Sequence, residues 1–74
     1  MSEQMRDMLD YIVVCINEFA EQKQIGTKEA YLYLNKYKGL EFLNEFYDVE
    51  HTLSFDDAVD DLTKVCISNG GFIA

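Results

Sequence analysis

With no proline and 49% of its residues hydrophobic, the chain lacks the composition of a disordered segment, in spite of a net charge of −8. It also lacks a long apolar run. The longest, Tyr11 to Ile16, is six residues, against the ~20 needed to span a bilayer. Met1-Ser2-Glu3-Gln4 shows no basic region leading into an apolar stretch, so export is not expected and the location expected is cytoplasmic. Only two cysteines are present, Cys15 and Cys66, 51 positions apart and each inside an apolar helical pattern. That spacing gives neither a metal knuckle nor a redox pair, and both are read as free core thiols behaving as small hydrophobes.

The single histidine, His51, has no cysteine placed to form a nucleophile oriented by a base and a third group. No catalytic residue is assigned, and the chain is read as non-enzymatic. Its imidazole is expected to bond a backbone carbonyl and fix the loop before the last helix. The four glycines, Gly26, Gly39, Gly70 and Gly71, form no phosphate-cradling motif, so nucleotide and other cofactors are not expected. Asp56, Asp57, Asp60 and Asp61 cluster in sequence, but pairs one apart diverge around a helix axis. They read as a solvated face complementing a helix dipole, and no metal is assigned.

What is present is helical periodicity, giving an all-α fold: a small bundle of four unequal helices at about 3–23, 27–37, 40–48 and 54–68. From Glu3 to Lys23, Met5, Met8, Leu9, Ile12, Ile16, Phe19 and Ala20 recur at three-and-four spacing. Val14 falls opposite that stripe. Gly26 is expected as a left-handed cap and Thr27 as the acceptor for the next helix's free amides. Ala30, Leu34 and Tyr37 continue to a stop at Lys38-Gly39. Leu40, Leu43, Phe46 and Tyr47 share one face of the third segment, and Val49 to Leu53 is expected as loop. Ser54, with Asp57 three residues on, marks the start of the last helix. Its stripe is Phe55, Ala58, Val59, Leu62, Val65 and Cys66, ending at Ser68-Asn69-Gly70-Gly71.

At 74 residues the chain makes one domain, residues 1–74, with 70–74 as a tail. Chains of this length bury only about 60% of their unfolded surface, so self-association as a homodimer is one way to gain stability. Charge is unevenly spread. Lys23, Lys28, Lys36 and Lys38, against Glu29 alone, make one segment locally +3 while the remainder is −11. Tyr31, Tyr33 and Tyr37 interleave with these bases, and at least one of Tyr31 and Tyr33 must face outward. A nucleic-acid-binding role for the Lys28 to Lys38 segment is therefore the alternative reading. It is disfavoured by the overall charge and by Arg6 being the single arginine. Outward tyrosines suit protein interfaces better. The leading expectation is an acidic protein-interaction module binding through Tyr31, Tyr33, Tyr47 and His51.

Three stretches carry a family likeness: Leu9-Asp10-Tyr11-Ile12-Val13-Val14-Cys15-Ile16, Gly26-Thr27-Lys28-Glu29-Ala30-Tyr31, and Tyr47-Asp48-Val49-Glu50-His51-Thr52. With these, the chain resembles a bacterial family of short proteins catalogued as domain of unknown function 3791. It departs from that pattern at Glu50, where an apolar residue usually precedes the histidine, and in its longer tail through Ile73-Ala74. The resemblance implies a bacterial cytoplasmic protein with no established activity. It further implies an accessory or antitoxin-like partner of a neighbouring toxin-like protein, including ones related to ADP-ribosyltransferases.

Overall fold

The computed structural model describes residues 3–72, apart from the side chain at position 4. Five helices follow in order: α1 (Glu3–Lys23), α2 (Thr27–Lys36), α3 (Gly39–Glu45), α4 (Tyr47–Glu50) and α5 (Phe55–Ser68). There is no strand among the described residues, and the fold is the all-α bundle expected. Four of the helices are seven residues or longer; α4 is a single turn. No helix among the described residues is long and apolar enough to cross a membrane.

The core gathers where α1, α2, α3 and α5 meet. Phe19, Leu34, Leu43, Val59, Leu62, Cys15 and Cys66 are its largest fully buried side chains. Both cysteines are free and buried, as expected. Only the second half of the α1 stripe is covered: Met5 is 53% exposed and Leu9 45%, whereas Ile16, Phe19 and Ala20 are buried, with Cys15 beside them. Length explains the difference. At 1.5 Å per residue, ten-residue α2 folds back over only about half of 21-residue α1.

The turns differ from the sequence expectation in three places. Gly26 is extended (φ −71°, ψ 157°) and is the N-cap of α2, while Gln24 takes the left-handed conformation (φ 58°). α1 ends at Lys23 as expected, but the left-handed cap comes two residues before Gly26, with the Ile25 N–H donating to the Ala20 carbonyl. Thr27 does not cap α2; its hydroxyl donates to Asn17 Oδ1 at 3.5 Å. Nor is Gly39 the stop. Lys38 is left-handed (φ 70°), and Gly39 starts α3, buried where a Cβ would lie 2.8 Å from Leu34 Cδ2 and 3.3 Å from Cys66 Sγ. The absent side chain lets α3 press on α2 and α5.

The expected third helix is broken at Phe46 (φ −107°, ψ 22°), and Val49-Glu50 lie in α4 rather than in a loop. Ser54 caps α5 as expected, its Oγ accepting from the Asp57 N–H at 3.1 Å. At the other end Gly70 is left-handed (φ 92°) and Gly71 N–H donates to the Cys66 carbonyl at 2.8 Å. Gly71 is buried against the rings of Tyr33 and Tyr37, so the tail packs that far; Phe72 is exposed. Residues 73–74 of the expected tail lie outside the described residues.

Candidate functional site

The break at Phe46 opens a groove of about 370 Å³ between the α3–α4 junction and α5. Its walls are Phe42, Phe46, Val49 and Val65, and its polar groups are Glu50, Asp61 and Lys64. The non-helical Phe46 separates α3 from α4, and residues on both sides of it line the groove opposite Asp61, Lys64 and Val65 of α5. Phe42 and Phe46 lie four apart on the two sides of the break, ring centroids 5.2 Å apart and tilted by 42°. Phe46 remains 46% exposed and Val49 60%.

Hydrogen bonds hold α4 in place. The Glu50 N–H donates to the carbonyl of Phe46, the N-cap of α4, at 2.9 Å. Thr52 Oγ1 donates to the Val49 carbonyl at 2.6 Å. His51 Nδ1 lies 2.7 Å from the Tyr47 carbonyl, which requires the proton on Nδ1. The imidazole also stacks on Tyr47, centroids 4.6 Å apart. Tyr47 in turn meets Tyr11 edge-on at 5.5 Å, and Tyr11 lies over Phe55 at 6.0 Å. The expected His51-to-carbonyl bond is thus present and braces the turn that carries the groove.

Glu50 is the unusual member. It is 4% exposed, and its Oε1 is buried without a hydrogen-bond partner. Burial first, and then the facing carboxyl of Asp61 and the charge of Asp57, push its carboxyl up to about 7. Protonated Glu50 can donate to Asp61; its Oε1 has no donor of its own chain to meet it. The α5 acids therefore do not all form a solvated face. Asp56, Asp57 and Asp60 are exposed, but Asp61 is half-buried and belongs to the groove.

Behind the groove, the Tyr11 hydroxyl is buried beside the Cys15 thiol. Burial pushes the Cys15 thiol up, and pushes Cys66 up to about 11. Raised thiols stay protonated and are poor nucleophiles. Among the described residues no group of three or more His, Cys, Asp or Glu side chains is placed to hold a metal ion.

The four residues expected to bind a partner do not form one patch. Tyr31 is 45% exposed on α2 and stacks on no ring among the described residues. Tyr33 faces inward, stacked on Phe19 at 5.7 Å and close to Tyr37 at 5.0 Å, its hydroxyl buried. Tyr47 and His51 sit together on α4 and its cap. The expectation that Tyr31 or Tyr33 points outward holds, through Tyr31. In the basic segment, Lys23 lies 5.7 Å over Phe19 and Lys36 5.4 Å over Tyr37. Sequence reasoning missed Glu50, Asp61, Phe42, Val49 and Val65 as a unit. A signal existed: Glu50 is seven residues beyond Leu43 and so shares its core-facing side.

A family model described as a protein of unknown function, DUF3791, matches residues 10–69, and the chain belongs to that family. Comparison with curated proteins and with solved structures finds no match.

Proposed function

We propose that this member of the DUF3791 family is a non-enzymatic, cytoplasmic protein-interaction module that receives its partner on the face formed by α3, α4 and the start of the groove in α5. The observation that carries this reading is an open groove rimmed by exposed Phe46 and Val49 and lined by buried Glu50, whose Oε1 has no donor in its own chain. Apolar rims of this kind with one placed polar group suit a partner's protruding side chain. The net charge of −8 favours a basic counterpart, as an accessory or antitoxin-like protein would need. Free thiols at Cys15 and Cys66 support a reducing compartment.

The nucleic-acid reading is weaker. Two of the four bases in the Lys23 to Lys38 segment are drawn over rings of their own chain, which leaves Lys28 and Lys38 to meet phosphate.

The test is a photo-crosslinking residue at Val49 of the full chain in its native cells. A discrete, stoichiometric adduct is expected, lost when Phe46→Glu is added and absent when the probe stands at Glu29 on α2. No adduct from Val49 at low or moderate salt, or equal adducts from both positions, would overturn the reading; an adduct of this chain alone would replace it with self-association.

A further inference from the structure

Glu50 lines the groove with 4% of its surface exposed, and its Oε1 is an acceptor shut away from water with nothing donating to it. Such an atom is costly unless a donor arrives from outside. Asp61 lies across from it on α5, so two carboxyls on different elements face one small volume. Lys64 also lines the groove, but it is exposed and pairs with neither. The other groups near Glu50 are Asp57 on α5 and the protonated Tyr11 and Cys15 of α1, none of which supplies a cation. A metal ion has too few ligands here.

The walls narrow the choice further. Phe42 and Phe46 offer ring surface, and Val49 and Val65 add apolar wall. A guanidinium fits: it is planar, weakly hydrated, carries donors in two directions for two carboxyls, and lies favourably on aromatic rings. An ammonium is compact and strongly hydrated, and loses more on entering such walls.

We infer that the groove is a receptor for one arginine side chain of a partner protein, with the guanidinium donating to Glu50 and Asp61 and its stem lying along Phe42, Phe46 and Val65. This rests on the reading of the α3–α4 face as the interaction surface. Entry of the guanidinium replaces the proton that Glu50 and Asp61 otherwise share, so binding strengthens as Glu50 ionises.

The experiment titrates the full chain with a blocked leucine–arginine–leucine amide, followed by amide NMR shifts. The controls are the citrulline counterpart of that peptide and agmatine alone. The arginine peptide is expected to move Val49 and the Asp61 to Val65 turn. At about pH 8, Glu50→Gln should weaken it about tenfold, from loss of one charge-assisted bond. Wild type should weaken similarly between about pH 8 and about pH 5.5, and Glu50→Gln should not. Asp61→Asn should weaken binding without removing the pH dependence. Equal binding of the citrulline peptide, shifts confined to other faces, or a pH response kept in Glu50→Gln would overturn the inference. Agmatine binding as tightly as the peptide would also overturn it, pointing to a small free cation. The two failures are distinguishable: an adduct from Val49 that Glu50→Gln leaves unchanged removes the arginine receptor alone, whereas no adduct from Val49 removes the interaction module and with it the partner whose arginine the groove would take.

Discussion

Glu50 shows how one side chain links stability to function. Its carboxyl titrates near the usual carboxylate range when unfolded and at about 7 when folded, chiefly because burial penalises its charge. The folded state therefore holds a proton the unfolded state has released. Stability contributed by the neutral form is complete below about pH 4.5 and is lost as pH rises through about 7. Urea denaturation at about pH 5 and about pH 8 should show that decline in wild type, whereas Glu50→Gln should be flatter and the more stable of the two at the higher pH. An equal decline in both would show that another group governs it. The same residue marks the limit of what sequence conveys. Its core-facing phase is readable from Leu43, but a carboxylate at such a position reads as exposed until Asp61 is known to stand opposite. Gly39 was likewise visible only as a helix breaker; that Leu34 and Cys66 crowd its missing Cβ is a three-dimensional fact. Gly39→Ala should cost ~1–3 kcal/mol by overpacking, measured by thermal melting.

At the scale of elements, apolar spacing located the long helices well because α1, α2 and α5 each bury a stripe. The capping of α5 was equally readable, since Ser54 acts through a local bond to the Asp57 N–H. Ser54→Ala should therefore cost ~1 kcal/mol, seen as a lower melting temperature with unchanged far-ultraviolet signal at low temperature. What spacing could not show is the break at Phe46, because the residues on either side continue a helical phase. The chain leaves the helix there while the Glu50 N–H still reaches the Phe46 carbonyl, and the groove owes its existence to that kink. Reading α4 as loop hid the site: His51 and Thr52 were known as polar residues, but their bonds to Tyr47 and Val49 turn them into braces for it.

Across the whole molecule, eleven hydrophobic residues are buried among the described residues of a 74-residue chain, so each large member matters. The sequence stripe treats Leu62 and Ile12 alike. The structure does not: Leu62 is fully buried between α1, α3 and α5, while Ile12 is half-buried on the less covered part of α1. Leu62→Ala should lose ~2–5 kcal/mol, comparable with the whole stability of a small domain, and leave much of the protein unfolded at physiological temperature. Ile12→Ala should lose less, because part of its side chain already meets water and little cavity is left behind. Paired chemical denaturation of the two variants checks the ordering, and equal losses would mean that the first half of α1 is covered in solution, as it would be against a second copy of the chain.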